Sequence, residues 1–302
     1  MKRILIWGTE KVYDQYINAL KYQELLGNIK VIGVTSEYYS YECVDGYSFV
    51  DVENIDYLSF DILVVAARRK EERFKDILSK ARQNNILEEN ILPIEVFAIP
   101  GFTVEKYLYL ARGGVSIMAC NCWGGMTYHS LSLPFLTPFI NVFENEWDYL
   151  KIMENLHYYM GQKICFAYQH KDEAAGVEWP VGRLDDVLIH FRHSKTFEEG
   201  RKDWIKRKER INYDNIFAMM YTESYEVARR FESLPYKKKV CFVPFITELP
   251  SVHTLKILED DKKRPKKLWD IVNALGEQQI KEYDIWRLLM GFNNYDRVVR
   301  KR

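Results

Sequence analysis

The sequence predicts an α/β protein built from two Rossmann-like units with mostly parallel sheets and a helical C-terminus. Short apolar runs alternate with segments of helical periodicity, and this alternation starts twice along the chain. With 302 residues, 47% of them apolar, the chain is long enough for one large domain or two ordinary ones and can build a substantial core. Pro100, Gly101, Gly113 and Gly114 interrupt the pattern before it restarts. We therefore expect one domain at 1–112 and a second at 113–302.

The first domain is expected to be a small doubly wound sheet. Its third apolar run, DILVVAA, is too apolar for a strand with one exposed face and is typical of a buried parallel strand. Each run is followed by a turn and then by a stripe of apolar residues at helical spacing. The strands are expected at Arg3–Trp7, Ile29–Val34 and Asp61–Ala67, and the helical stripes at Tyr13, Ile17 and Leu20 and at Phe74, Ile77, Leu78 and Ala81.

The second domain repeats the alternation, with a longer helical end. Strands are expected at Val115–Ala119, Phe139–Phe143, Ile164–Tyr168, Val187–Phe191, Ile216–Tyr221 and Val240–Pro244, and helices at Glu146–Met160, Phe197–Ile211 and Tyr225–Leu234. After Pro265 the residues Leu268, Ile271, Val272 and Leu275 fall on one helical face, and a basic tail ends the chain.

Composition narrows the classes of function. Lysine plus arginine equals aspartate plus glutamate, 43 of each, whereas a nucleic-acid binder more often carries a basic excess. The start, MKRILIWGTE, has only a very short apolar run, so we expect no secretory signal there, and no window has the roughly 20 apolar residues of a membrane span. Five cysteines suit a reducing compartment. We expect a soluble cytoplasmic protein that binds no nucleic acid.

The turn after the first strand reads GTEKVY and departs from the dinucleotide fingerprint GxGxxG. Only Gly8 remains, and Glu10 would repel a phosphate at the helix N-terminus. Glu37, after the second strand, could hold a ribose. Gly8 and Glu37 are thus candidate cofactor-binding residues, although the cofactor stays unknown. The alternative is a scaffold with an emptied pocket, and in either case tight NAD binding is not expected.

The segment ACNCWGGMTYHS follows the first strand of the second domain, where α/β proteins place ligands. A thiol at a helix N-terminus has a lowered pKa, so Cys122 is a candidate nucleophile with His129 as its partner. Gly124 and Gly125 offer backbone donors to an oxyanion or phosphate. Alternatively, Cys120 and Cys122 fill a core, or the loop binds a ligand without covalent chemistry. A CxC pair with one histidine lacks the ligand set of a structural zinc site, so no metal is expected.

Two further stretches carry candidate residues. In VLIHFRHS, His190 and His193 are candidate general bases, with hydrogen-bonded structural histidines as the alternative. We expect the His190 strand to share a sheet with Val115–Ala119, so that both strand ends line one pocket. Between residues 201 and 210, six basic residues oppose two acidic ones. This run is either a solvated face or a phosphate clamp formed by Arg207 and Arg210.

Several motifs in the same order resemble a bacterial family of unknown function whose members are often labelled exopolysaccharide biosynthesis proteins. They are NCWGGMTYHSLSLPFLTPFINVFENEWDYLKIM, PVGRLDDVLIHFRHS, KRKERINYDNIF and RFESLPYKKKVCF, within about residues 114–245. The chain departs from the pattern at Cys120, where asparagine is usual, and at Ile205, where a polar residue is usual. The family's recurrent positions fall on Asn121, Cys122, Trp123, Gly124, Gly125, His190, His193, Arg207, Arg210, Asn212 and Asp214.

The resemblance implies a role near capsule or exopolysaccharide assembly. We expect a transferase that binds a sugar nucleotide or a phosphorylated saccharide carrier between the two units, with His190 or His193 as base. A non-catalytic nucleotide-binding, sugar-binding or regulatory protein is the alternative. A cysteine-dependent acyltransferase or hydrolase built on Cys122 is a third hypothesis. The sequence leaves the oligomeric state unknown.

Overall fold

A computed structural model describes residues 1–68, 71–254 and 285–291 of the chain. These residues form two compact units. The first comprises Met1–Gly113 with Ser130–Leu133, and the second comprises Gly114–His129 and the described residues from Pro134 onwards. The predicted fold class is confirmed, because each unit combines a four-stranded parallel sheet with helices.

The first unit contains a four-stranded parallel sheet in the order β2-β1-β5-β6. The strand order reverses between β1 and β5, as in doubly wound folds. A two-stranded hairpin, β3 and β4, follows β2. The elements are β1 (Lys2–Trp7), α1 (Lys11–Leu25), β2 (Ile29–Thr35), β3 (Cys43–Val44), β4 (Tyr47–Ser48), β5 (Ile62–Val65), α2 (Glu72–Gln83), β6 (Ile91–Pro93) and α3 (Val104–Gly113), with 3-10 helices at Val52–Tyr57, Glu88–Asn90 and Ile94–Ala98.

Helix α2 covers one face of this sheet. Leu5 and Trp7 of β1 pack with Phe74 and Ile77 of α2 in one buried cluster. The parallel register places Thr35 of β2 directly beside Trp7. Because cross-strand partners point to the same face, Thr35 also lies on the α2 side of the sheet.

The second unit contains a four-stranded parallel sheet in the order β13-β12-β11-β7. Alternate residues face opposite sides, so that Met118 and Met220 join a core with Tyr149 and Phe231, which come from two helices on one side. The strands are β7 (Ser116–Ala119), β11 (Ile216–Tyr221), β12 (Lys238–Val243) and β13 (Val252–Thr254). Helix α4 (Trp123–Ser130) follows β7, and α8 (Tyr225–Glu232) follows β11.

A separate antiparallel sheet in the order β10-β9-β8 completes the second unit. Two expectations were therefore wrong. The strand that carries His190 does not share a sheet with β7, and Phe139–Phe143 is not a strand but a loop tied by one bridge between Phe143 and His190. The central strand β9 was not predicted, since it contains Pro180 and Gly182, which usually indicate an edge strand, a bulge or a turn. The strands are β8 (Ile164–Asp172), β9 (Val177–Leu184) and β10 (Val187–His190).

The remaining helices are shorter than predicted. The expected helix Glu146–Met160 is divided into α5 (Glu146–Glu154) and α6 (Leu156–Gly161) at Asn155. The next, α7, spans Phe197–Lys208, and a short α9 spans Ile285–Met290. The predicted stripe from Leu268 to Leu275 and the basic tail lie outside the described residues.

Candidate functional site

The carboxyl end of β7 carries a buried amide whose donor is not used. Asn121 is 7% exposed, and its Oδ1 accepts a hydrogen bond from the backbone N–H of Trp123 at 3.0 Å. Its Nδ2 is buried and has no partner within the described part of the chain. Because the bonded oxygen fixes the side chain, this donor is held in one position at the start of α4. Such a donor can bind an oxygen atom of a ligand.

The glycine pair of α4 has a packing role at its first member. A Cβ on Gly124 would lie 3.0 Å from Cβ of Ala119 and 3.4 Å from Cγ2 of Ile117, so only glycine lets α4 approach β7 this closely. A Cβ on Gly125 would meet Ile140 at an ordinary 3.6 Å. Gly124 thus sets how closely α4 lies on β7, which positions Asn121 at the junction between them.

A buried carboxyl group that the sequence analysis missed lies near this end of β7. Glu144 precedes the N-cap residue of α5 and is 5% exposed, and neither of its carboxyl oxygens has a partner among the described residues. Burial, reinforced by the charge of Asp148, raises the pKa of Glu144 well above its ordinary value. Burial also raises the pKa of Cys120 to about 12, and the charge of Glu144 adds to that effect, which places the two groups within electrostatic reach.

Cys122 lacks the environment of an activated thiol. Burial raises its pKa, and this effect exceeds the opposing influence of the positive charge on Arg192. His129 is exposed and lies in the last turn of α4, whereas Cys122 precedes the first turn. A helix rises about 1.5 Å per residue, so roughly 10 Å separates their backbones along the axis. These two residues do not form the Cys–His pair that nucleophilic catalysis would require.

His190 is held by an aromatic cluster on the antiparallel sheet. The indole Nε1–H of Trp179 donates to Nδ1 of His190 at 3.0 Å, and the Phe143 ring stacks on the imidazole with 4.4 Å between ring centroids. Burial lowers the pKa of His190 to about 4, and the nearby His170 adds to that effect. An indole N–H only donates, so the neutral imidazole carries its proton on Nε2. The lone pair on Nδ1, the only one that could accept a proton, is therefore occupied by the hydrogen bond from Trp179. This disfavours His190 as a general base.

Arg192 relates the antiparallel sheet to the end of β7. Its guanidinium lies over the Trp179 ring, 4.6 Å from the ring centroid. Its charge also acts on the Cys122 thiol. Arg192 therefore supplies a cation to the β7 end, although β7 and β10 lie in separate sheets. His193, one residue further on, is exposed.

Several residues at the family's recurrent positions are engaged in packing or hydrogen bonds within the second unit. Trp123 is fully buried against Phe217 and Phe242. Arg207 donates to the carbonyl of Ile140 at 2.9 Å and pairs with Asp203 at 2.6 Å, so its guanidinium is already engaged.

Asn212 lies at the amino end of β7, away from Asn121. Its backbone N–H donates to Oγ of Ser116 and its Nδ2 donates to the carbonyl of Gly114. Asp214, whose N–H donates to Oδ1 of Asn212, and Arg210 are both exposed. The recurrent motif residues therefore do not form one cluster. Asn121 and Cys122 lie at the carboxyl end of β7, and Asn212 lies at its opposite end.

A cavity of about 480 Å³ also lies in the second unit, between the junction of α5 with α6 and the start of β11. Its polar side chains are largely engaged. Glu154 pairs with Arg230 at 2.7 Å, the Tyr236 hydroxyl donates to the carbonyl of Met153, and the Tyr158 hydroxyl donates to Asp185. The unsatisfied buried donor and acid lie instead at the β7 end, which makes that end the better candidate site.

In the first unit, Gly8 and Glu37 follow β1 and β2. Gly8 has a φ of 116°, and a Cβ there would lie 3.0 Å from the carbonyl oxygen of Ala66, so glycine is required. One carboxylate oxygen of Glu37 pairs with Lys80 at 2.8 Å.

Within the described ranges, no cluster of three or more histidine, cysteine or acidic residues could hold a metal ion. None of the described helices is long and apolar enough to cross a membrane.

Comparison with known proteins gives a family but no activity. Residues 1–92 match a family described as C2185-like, N-terminal. The chain is 30% identical over 191 residues to an uncharacterized protein of Haemophilus influenzae, a match that covers 61% of this chain and 87% of that protein. Residues 94–290 match the Domain of unknown function (DUF1919), a stretch that begins before the second compact unit. The chain therefore belongs to the DUF1919 family, whose function is not known.

Proposed function

We propose that the second unit is a transferase that acts on a phosphorylated saccharide, with a sugar nucleotide or a phosphorylated carrier as donor. In line with the motif resemblance, its reaction would belong to exopolysaccharide or capsule biosynthesis. The observation that carries the proposal is the Glu144 carboxyl group, which is buried and without a hydrogen-bond partner in the described structure. It lies within electrostatic reach of the β7 end, where Asn121 also has an unpaired donor.

An unpaired buried polar group costs roughly 1–3 kcal/mol of stability, so it calls for a functional explanation. A ligand that accepts from Asn121 and exchanges a proton with Glu144 would remove this cost. Since burial raises the pKa of Glu144, its carboxylate is a stronger base than an exposed one. Perturbed carboxyl groups of this kind occur at catalytic sites more often than elsewhere.

The chemistry assigns one role to each group. The guanidinium of Arg192 and Nδ2 of Asn121 hold the phosphate oxygens of the donor. The hydroxyl group of the acceptor attacks the anomeric carbon and gives its proton to the Glu144 carboxylate. The bond between the anomeric carbon and the phosphate oxygen breaks, and its electron pair goes to the phosphate, whose charge is stabilised by Arg192 and Asn121.

The first test is donor binding, measured by calorimetry with UDP-glucose, UDP-N-acetylglucosamine and glucose 1-phosphate as probes. We expect at least one probe to bind, and we expect Arg192→Ala and Asn121→Asp each to weaken binding by about tenfold or more, because hydrogen bonds to charged groups contribute roughly 1.5–3 kcal/mol. Arg210→Ala is the matched control, since it removes an exposed arginine of the alternative clamp. Loss of binding in Arg210→Ala alone would place the phosphate at the residues after the C-terminus of α7 instead.

The second test is turnover, measured as release of UDP with a mixture of acceptor saccharides. Glu144→Gln keeps the shape of the side chain but cannot accept the proton. We expect kcat to fall by about 10²–10⁴ with donor binding preserved. Donor binding without turnover in the unmodified protein would support the non-catalytic binding protein instead. Binding of none of the probes would reject the proposed site.

A further inference from the structure

The first unit has a cavity at the point where its strand order reverses. This cavity, of about 240 Å³, lies between the residues that follow β1 and those that follow β5. In open α/β sheets, the crevice at this position is where ligands bind. Its charged lining consists of Lys11, Arg68 and Arg73 with Glu10 and Glu71, which gives a net charge of +1. That balance suits a ligand with a single anionic group.

The ends of β1 and β2 and the residues that follow them carry buried polar atoms without partners in the described structure, and the residues after β1 continue into the cavity lining. These atoms include Oγ1 of Thr35, Oγ1 of Thr9, Nε1 of Trp7 and Oε1 of Glu37. Thr35 and Trp7 are both 0% exposed and lie side by side at the ends of β2 and β1. A concentration of unsatisfied donors and acceptors at one edge of a sheet is costly unless a ligand completes them.

Glu37 is already oriented for a hydroxyl donor. Lys80 of α2 holds one of its carboxylate oxygens at 2.8 Å, so that the other oxygen, Oε1, can accept. Arg73 reaches from the cavity to the residue after Glu37, since its guanidinium lies 5.2 Å from the Tyr38 ring centroid. The Arg73 cation of the cavity therefore lies near the segment that carries Glu37.

The ion pair between Glu10 and Arg73 limits what the cavity can hold. Glu10 is the N-cap residue of α1, where a dinucleotide fold would place the pyrophosphate. Its carboxylate repels a second phosphate, whereas Lys11 and Arg68 have no side-chain ion pair among the described residues and can hold one.

From these contacts we infer that the first unit binds a ribonucleoside monophosphate and not a dinucleotide. The ribose hydroxyls donate to Glu37 Oε1 and contact Thr35, while the phosphate lies against Lys11 and Arg68. The exposed rings of Tyr38 and Tyr39, which follow Glu37, offer a surface for the base. This inference does not depend on the function proposed for the second unit.

Calorimetry on the full-length protein tests the inference with AMP, GMP, CMP and UMP as probes. We expect at least one of them to bind, its 2′-deoxy analogue to bind about tenfold or more weakly, and NAD to bind more weakly than the monophosphate. Hydrogen bonds from hydroxyls to a carboxylate contribute roughly 1.5–3 kcal/mol, which sets this expected ratio. Failure of all four probes at millimolar concentration, equal affinity for the deoxy analogue, or tighter binding of NAD would each overturn the inference.

Two variants separate binding from folding. Glu37→Gln should weaken the affinity for the monophosphate by about tenfold or more, whereas the exposed control Glu89→Gln should leave that affinity unchanged. Thr35→Val removes a hydroxyl that has no partner in the described structure, so the fold should be as stable as before while affinity falls. Unchanged affinity in both variants would reject the site. Asn121→Asp should bind the monophosphate normally, which keeps this result separate from the test of the second unit.

Discussion

Cys122 is half-buried, and the cost of burying a thiolate there exceeds the attraction of the positive charge on Arg192. The protein also contains two exposed cysteines, Cys43 and Cys165, and two buried ones, Cys120 and Cys241. We therefore expect iodoacetamide to label Cys43 and Cys165 first, Cys122 more slowly, and the buried pair only on unfolding. Mass-spectrometric mapping of labelled peptides over time at neutral pH gives the order.

Labelling of Cys122 ahead of both exposed cysteines would contradict this order and would restore the nucleophile hypothesis. Reaction of Cys122 together with Cys120 and Cys241 would instead make it a core residue.

At His190, the contact with Trp179 sets the tautomer, and burial sets the direction of the pKa shift. Because the Trp179 indole donates to Nδ1, the neutral ring carries its proton on Nε2, and burial lowers its pKa to about 4. We expect nitrogen chemical shifts of the imidazole to show the Nε2–H tautomer unchanged from pH 7 to about pH 5. The Trp179→Phe variant removes the donor and should alter the tautomer population. A titration midpoint near 6.5 in the unmodified protein would show that the ring is open to solvent and available as a base.

At the scale of elements, the close packing of α4 on β7 depends on Gly124. Gly124→Ala would place a methyl group 3.0 Å from Cβ of Ala119, so helix and strand would have to separate. We expect this change to destabilise the second unit by about 1–3 kcal/mol. Gly125→Ala is the matched control, because its methyl group would have room and alanine favours a helix by roughly 0.5–1 kcal/mol. Urea unfolding followed by tryptophan fluorescence compares the two variants, and equal loss of stability in both would refute the packing role.

Apolar runs predicted most strands of the two parallel sheets. The parallel strands β1, β2, β5, β7, β11 and β12 were found because buried parallel strands are apolar throughout. The antiparallel sheet was not separated from them, since an apolar run such as the one that carries His190 does not reveal its partner strand. Its central strand contains Pro180 and Gly182, which sequence rules assign to turns.

The candidate site was predicted only in part, for a similar reason. The position of Asn121 at a strand end was readable, because strand, turn and helix follow one another in the chain. Glu144 and Arg192 carry no local signal, since their importance comes from burial and from neighbours far along the sequence. A lone glutamate before a helix resembles an ordinary first-turn acid until the fold buries it.

At the scale of the whole molecule, protonation of Glu144 in the candidate site affects the free energy of unfolding. Burial raises its pKa above the ordinary 4.5, so between these two pKa values the folded protein binds more protons than the unfolded chain. Stability contributed by this group is therefore fully present below about pH 4.5 and is lost as pH rises, by at most about 1.4 kcal/mol per pH unit.

Glu144→Gln stays neutral at every pH and should lack this slope. We expect the free energy of unfolding of the variant, relative to the unmodified protein, to increase as pH rises above about 4.5. Urea titrations at four pH values measure this free energy of unfolding. The amide that Glu144→Gln introduces is also buried without partners, which changes the absolute free energy at every pH. The comparison therefore uses the slope of the free energy with pH. Glu173→Gln, at an exposed loop position, is the control and should give a curve parallel to that of the unmodified protein. A parallel curve for Glu144→Gln as well would mean that Glu144 is solvated, which would remove the observation on which the proposed function rests.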